Sequence, residues 1–170
     1  MTSFFFCGNM TNLIEIVVLT SAIMKLSTKG RYGARAMTDL ALHYGEGPIL
    51  LKDIATRQQI SEPYLQHLFK PLKAAGLVTS MRGAHGGFAL AKPPSEITVS
   101  EIIRTVEGSV ALVECVDDPK ACLRADLCVT RDIWTEIKKA MSGILESTTL
   151  QGLVQRQREK DKTETVMYYI

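Results

Sequence analysis

A glycine-rich turn between two short apolar segments limits most strongly how this chain can fold. The segments are residues 77–82 and 88–91, and the stretch between them contains three glycines. Glycine takes the backbone angles of tight turns at little cost, so this arrangement predicts a β-hairpin. Helical patterns lie on both sides of it. We therefore predict a mainly α-helical fold with one small β-hairpin.

The region before the hairpin begins with two predicted helices. Ser27 is suited to cap the first, because its hydroxyl accepts a hydrogen bond from a first-turn amide. Apolar residues then recur every three or four positions until Gly45. Residues 49–51 are a candidate short strand, and residues 52–59 predict a small second helix.

A third helix is predicted to start at Ser61, with Pro63 tolerated in its first turn and Gly76 just past its end. Three helices followed by a two-stranded hairpin is the order of elements in a winged helix-turn-helix. In that arrangement the third helix enters the major groove of DNA, and the hairpin reaches the neighbouring backbone or minor groove.

The distribution of charge agrees with a DNA-binding first half. The net charge is only +2, but residues 25–92 contain ten Lys or Arg against four Asp or Glu, and residues 93–170 contain ten against thirteen. A basic segment suits a polyanion, although such asymmetry also arises by chance on solvated faces.

We expect DNA contacts from the start of the first helix, the third helix and the hairpin. Each of these side chains also has an ordinary interpretation as a solvated surface residue, and only their combination favours DNA. The expected contact residues are Lys25, Thr28, Lys29, Arg31, Ser61, Tyr64, Gln66, His67, Lys70, Arg82 and His85.

Three of the four cysteines lie close together, at Cys115, Cys122 and Cys128. No C-x-x-C pair is present, which disfavours a zinc ribbon or a thioredoxin-type dithiol. Three thiolates on an Asp-rich loop can converge on one soft metal centre. A disulfide, or free thiols acting as small apolar residues, are the alternatives. Cys7 lies far away, and we assign it no role.

The region after the hairpin predicts a short helix from Thr98 or Ser100 to Val106 and a long one from Thr130 or Arg131. One stripe of the long helix is apolar and broad enough to face a partner helix. The stripe consists of Ile133, Trp134, Ile137, Met141, Ile144 and Leu145. After a further turn or two, we expect the residues beyond 157 to form a charged, frayed tail.

The predicted organisation has four parts. Residues 1–23 are an extension of unknown role, because their apolar run is shorter than the roughly 20 residues a membrane helix needs and no basic residue precedes it. Residues 24–92 form the DNA-binding domain, residues 93–160 the cysteine loop and dimerisation helix, and residues 161–170 a tail.

Several segments resemble the IscR/NsrR family of bacterial winged-helix regulators. They are residues 24–33, 60–69, 76–90 and 97–103, followed by the three clustered cysteines and Thr149-Leu150. The resemblance covers about residues 24–155. It implies a cytoplasmic homodimer built on the long C-terminal helix, which reads a partly palindromic DNA operator. It also implies an iron–sulfur cluster bound by Cys115, Cys122 and Cys128, through which transcription responds to iron–sulfur status, iron, nitric oxide or redox state.

The chain departs from that family at the fourth cluster ligand. The IscR branch has a histidine where this chain has Arg131, and the nitric-oxide-sensing branch has an acidic residue where it has Arg31. A guanidinium stays protonated and offers no lone pair to iron. We favour a 2Fe–2S cluster over a 4Fe–4S cluster. An external thiol or water, or one of four nearby carboxylates, is a candidate fourth ligand. The carboxylates are Glu114, Asp117, Asp118 and Asp126.

The sequence leaves two alternative functions. The same regulator fold could sense oxidants directly through its thiols, without a cluster. A small thiol or metal redox enzyme is disfavoured, because the histidines His43, His67 and His85 are remote from the cysteines and no glycine-rich phosphate loop precedes a helix. We therefore predict a regulator that is not an enzyme, with no small-molecule substrate and no membrane partner.

Overall fold

The structure is a computed structural model that describes residues 26–83 and 86–167, with side chains described as far as residue 163. It is mainly helical with one two-stranded antiparallel hairpin, which confirms the predicted fold class. In chain order the elements are α1 (Thr28–Leu42), α2 (Leu51–Gln58), α3 (Glu62–Ala74), β1 (Val78–Met81), β2 (Gly87–Leu90), α4 (Val99–Val106), α5 (Glu114–Asp117), α6 (Val129–Ser147) and α7 (Leu150–Met167).

Local signals in the sequence set the ends of the first three helices. The Ser27 hydroxyl accepts a hydrogen bond from the Lys29 amide at 3.0 Å and caps α1, as predicted. Gln59 takes a left-handed conformation (φ 53°) after α2, which turns the chain towards α3. Gly76, with φ 70°, follows the end of α3. Ser61 stands at the N-cap position of α3, but its hydroxyl makes no capping bond.

Residues 49–51 do not form the predicted strand. Ile49 makes only an isolated bridge to Phe88, through two backbone hydrogen bonds of 2.8 Å, and Leu51 is the first residue of α2. The bridge still fastens the hairpin to the helix-turn-helix. The Phe88 ring also packs edge-on against Phe69 of α3, with ring centroids 4.8 Å apart.

The core lies between α1, α2, α3, α4, the hairpin and the start of α7. Phe69, Met37 and Ile54 are its largest fully buried side chains from the helix-turn-helix. Ile102 of α4 and Leu150 of α7 are buried in the same cluster. The first half and the C-terminal helix therefore share one hydrophobic core.

The predicted frayed tail after residue 157 is wrong, because α7 continues to Met167. Its first turns are anchored by Leu150 and Val154, which are 0% and 3% exposed. The Gln157 side chain donates a hydrogen bond to Asp161 at 2.8 Å, one helical turn later. Good helix formers that extend a tertiary anchor stay helical even when the sequence is polar on all sides.

The helix α6 begins close to its predicted start, and within the described residues it contacts α4 and α5 without being covered by them. None of its 19 residues is buried. Ile133 and Ile144, from the predicted apolar stripe, are 53% and 67% exposed. None of the described helices is both long enough and apolar enough to span a membrane.

Candidate DNA-binding face and cysteine segment

The helix α3 has one apolar and one polar side. Leu65, Leu68 and Phe69 are fully buried in the core. Gln66 and Lys70 are exposed on the opposite side, at the spacing of successive helical turns. A helix fixed in this way presents a rigid row of donors and acceptors to an external ligand, as a recognition helix requires.

An aromatic pair joins the first turn of α3 to α1. The rings of Tyr32 and Tyr64 meet edge-on, with centroids 5.8 Å apart. The guanidinium groups of Arg31 and Arg35 each lie 5.6 Å from the Tyr32 centroid, within range of a cation–π interaction. Two positive charges are therefore held beside the N-terminal end of α3.

A cleft of about 220 Å³ lies between the start of α1 and the middle of α3. Lys29, His67 and Lys70 line it, together with Leu68, Pro71 and Val106. Three nitrogen-bearing side chains around one concave surface suit a phosphate group, which binds lysine through charge and hydrogen bonds. The cleft therefore brings together residues that are 41 positions apart in the sequence.

Glycines allow the hairpin to turn tightly and to lie close to the helix-turn-helix. Gly83 has φ 111°, an angle that other residues rarely adopt. A Cβ on Gly87 would lie 2.4 Å from the Ile49 carbonyl oxygen, so a side chain there would break the bridge to Ile49. Arg82, at the end of β1, is exposed beside this turn.

Nine of the eleven expected DNA contacts fall within the described side chains, and Lys25 and His85 lie outside them. Tyr64 is half-buried by its contact with Tyr32. The Gln66 side-chain amide donates a weak hydrogen bond of 3.4 Å to the Glu62 carboxylate. The exposed residues are Thr28, Lys29, Arg31, Ser61, Gln66, His67, Lys70 and Arg82.

An ion pair between the buried Asp39 of α1 and the more exposed Arg57 of α2 was not predicted from the sequence. Asp39 is only 2% exposed and receives hydrogen bonds from the Arg57 guanidinium at 2.6 and 3.0 Å and from the Gln58 amide at 2.9 Å. The bond with Asp39 raises the pKa of Arg57. The pair fixes α2 against α1. The available signal was an aspartate on the apolar side of α1, next to Leu40.

The three clustered cysteines lie on a segment between α4 and α6. Cys115 is in α5, Cys122 follows a single 3₁₀ turn, and Cys128 stands at the N-cap position of α6. All three are free thiols, with Cys122 exposed and the other two half-buried. The Cys128 sulfur lies 3.1 Å from the Thr130 hydroxyl. That hydrogen bond, helped by one from the Arg131 backbone, lowers the pKa of Cys128.

The described arrangement does not gather these thiols around one centre. Within residues 26–83 and 86–167, no three His, Cys, Asp or Glu side chains are placed to hold a metal ion. Three thiolates nevertheless form the donor set that iron–sulfur clusters use. The three cysteines are therefore suitable ligands for a cluster by their chemistry. The segment has to close and bring the thiols around one centre before they can bind it.

Few contacts hold this cysteine segment, residues 111–128. Ala125 is its only buried residue, and Leu123 and Leu127 are fully exposed. Its main polar contacts are with α6. The Arg131 guanidinium donates to the Cys115 carbonyl at 2.9 Å, and Lys138 forms an ion pair with Asp117. Arg131 therefore positions the Cys115 backbone in this structure.

Comparison with known proteins agrees with this architecture. The sequence profile of the Rrf2 family, described as an iron-dependent transcriptional regulator, matches residues 26–156. The chain belongs to the Rrf2 family. The match includes the helix-turn-helix, the hairpin, the cysteine segment and α6, and it ends within α7.

Relatives named CymR and IscR are both similar to this chain. The transcriptional regulator CymR of Bacillus subtilis is 43% identical over 147 residues, which cover 86% of this chain and all of that protein. Its solved structure describes it as a global cysteine regulator. The regulator IscR of Photorhabdus laumondii is 44% identical, over 81% of this chain and 84% of that protein. The solved structure of T. potens IscR matches with a TM-score of 0.68 and 46% identity, over 80% of this chain and 90% of that one.

Proposed function

We propose that this Rrf2 protein is a homodimeric, DNA-binding transcription regulator of the bacterial cytoplasm, whose operator binding responds to an iron–sulfur cluster on Cys115, Cys122 and Cys128. The observation that carries the proposal is the position of three free thiols on a weakly held segment, between a basic helix-turn-helix and an amphipathic helix with no buried residue. A conformational change in this segment would alter the orientation of the helix-turn-helix relative to α6.

In this proposal α3 reads base edges in the major groove. Ser61, Gln66 and His67 supply hydrogen-bonding groups on its exposed side. Lys29 and Lys70 neutralise backbone phosphate at the cleft between α1 and α3. Further DNA contacts on one side of this cleft come from Thr28, Arg31 and Tyr64. Arg82 contacts the adjacent DNA backbone. Lys25 and His85 retain the same proposed role.

Dimerisation through α6 accounts for the two exposed residues of its apolar stripe, Ile133 and Ile144. A helix with 19 residues is about 28 Å long. A two-fold contact along α6 would bury Ile133 and Ile144, which are exposed to solvent in the single chain. Two copies of α3 would then face half-sites about one DNA turn apart, as in other dimeric helix-turn-helix proteins.

Iron–sulfur binding is supported by donor chemistry and by the family description. Three soft thiolates are available, and the family is described as iron-dependent. Closing the segment breaks few interactions, because its main polar contacts are the hydrogen bond from Arg131 and the ion pair with Lys138. A bound cluster would supply a cross-link between α5 and the start of α6. We keep a 2Fe–2S cluster as the favoured type and assign no fourth ligand.

A second candidate function is direct sensing of oxidants by the thiols. It is favoured by Cys128, whose hydrogen bond from Thr130 lowers its pKa and raises the fraction of reactive thiolate. A peroxide would oxidise one thiolate to a sulfenic acid, which a second thiol then converts to a disulfide with release of water. Iron and sulfide contents separate this candidate from the first.

The deciding experiment is DNA binding by the full chain in two states. Fluorescence anisotropy on DNA from its own promoter region should show at least a tenfold difference in Kd between iron-free and cluster-loaded protein. Cys122→Ala should abolish this difference. Cys7→Ala, which removes the one cysteine outside the segment, should preserve it. Equal affinities of the two wild-type states would overturn the proposal.

A further inference from the structure

One carboxylate ties the start of α1 to the end of α4. Glu107 stands at the C-cap of α4. Its Oε1 atom accepts hydrogen bonds from the Ser27 hydroxyl at 2.8 Å and from the Gly30 amide at 2.7 Å. Amides in the first turn of a helix have no partner within the helix, and a negative charge there is stabilised by the helix dipole.

The contact depends on the absence of a side chain at residue 30. A Cβ on Gly30 would lie 2.2 Å from the Glu107 carboxylate oxygen and 3.0 Å from Ile103. The first distance is too short for a real contact and the second is unusually tight, so alanine would displace the carboxylate. Gly33, one turn later, is different, since its Cβ would lie 3.4 Å from Val106 in nearly ordinary contact.

Glu107 also stands where the chain leaves α4 for the cysteine segment. Gly108 follows with φ 93°, which turns the chain away from the helix, and α5 begins at Glu114. At the other end of the contact, the capped turn of α1 carries Thr28, Lys29 and Arg31. Through Ser27 and the Gly30 amide, the carboxylate thus connects the chain that leads into the cysteine segment to the helical turn bearing the side chains proposed to contact phosphate.

We propose that Glu107 couples the cysteine segment to DNA affinity by holding the first turn of α1. The inference rests on the proposed function. A closure of the segment that moves residues 108–113 pulls on the C-terminal end of α4, and the carboxylate transmits this movement to the amides of α1. Glu107 is a positioning residue in this scheme, because it acts through Lys29 and Arg31.

Hydrogen–deuterium exchange tests the coupling in the full chain. The amides of residues 28–31 are compared between iron-free and cluster-loaded protein. A second comparison uses N-ethylmaleimide, which perturbs the segment without any cluster; in this comparison Cys7→Ala protein takes the place of the wild type and is the background for every variant. In wild type we expect at least a fivefold change in exchange rate at these amides on perturbation.

Four variants decide how the change arises. Glu107→Ala and Gly30→Ala should remove the change, and Gly33→Ala should retain it. Glu107→Gln, which keeps an acceptor oxygen, should retain most of it. If Gly30→Ala does not fold, the pair Glu107→Ala and Glu107→Gln decides alone.

The possible results separate this inference from the proposed function. A change that persists in Glu107→Ala, or no change in wild type under either perturbation, overturns the coupling. If the protein takes up no cluster but N-ethylmaleimide gives the expected pattern, the coupling stands and the cluster proposal fails. If loading changes the exchange in wild type and in Glu107→Ala alike, only the coupling fails.

Discussion

Replacing Lys70 by alanine should weaken DNA binding by an amount that depends on salt. Lys70 is exposed in the cleft shared with Lys29 and His67. It forms no ion pair within the described part of the chain, so no internal carboxylate competes with phosphate for it. Each phosphate contact contributes about 0.9 to the magnitude of the slope of log K against log salt. The proposed dimer carries Lys70 twice, so the substitution removes two contacts and should lower the magnitude of the slope by about 1.8.

That slope converts to an affinity. We take the variant and the wild type to bind equally at about 1 M salt. A slope that is lower by about 1.8 then makes the variant bind roughly 30-fold more weakly at about 0.15 M salt, which is about 2 kcal/mol. Anisotropy titrations at several salt concentrations measure both quantities. Lys139→Ala is the matched control, since Lys139 is exposed on α6, away from the cleft. An unchanged slope for Lys70→Ala, or an equal loss for Lys139→Ala, would refute the assignment of this cleft to phosphate.

Three further outcomes are expected. Asp39→Asn should destabilise the fold by about 2 kcal/mol in urea denaturation, because it removes the buried charge that Arg57 binds, and a loss below about 0.5 kcal/mol would contradict this. Ile133→Glu should turn the proposed dimer into a monomer in sedimentation velocity, and an intact dimer would remove α6 from the interface. In iron-free protein near neutral pH, Thr130→Val should raise the pKa of Cys128 and slow its alkylation by iodoacetamide, since less thiolate is then present; an unchanged rate would show that the hydrogen bond does not matter.

The helix-turn-helix and hairpin were predictable because their signals are local. The Ser27 cap, the glycine after α3 and the glycine turn of the hairpin each act within a few residues of where they stand. The exposed side of α3 likewise follows from the spacing of its apolar residues. Such features need no knowledge of the rest of the fold.

The missed features depend on pairs of residues that are distant in the sequence. Asp39 binds Arg57, and Glu107 binds Gly30, across 18 and 77 positions respectively. The length of α7 depends on Leu150 packing into a core built mainly by the first half of the chain. No periodicity or spacing predicts such partners, because they are set by how the helices pack.

The cysteines lie between these two cases. Their clustering identifies a donor set, but the spacing does not fix how far apart the thiols lie in the folded chain. In the structure Cys115 and Cys128 belong to different helical elements, linked by two single 3₁₀ turns. The distance between them is therefore set by a segment with few packing contacts, which neither composition nor motif reveals.

The most direct test of the central claim is the iron and acid-labile sulfide content of the chain purified without oxygen. We expect a brown protein with equal amounts of iron and sulfide and a visible absorption band. Cys122→Ala should lose both, and Cys7→Ala should keep them. A colourless wild-type protein that takes up neither element on reconstitution would contradict the account, and the same result would favour direct oxidation of the thiols.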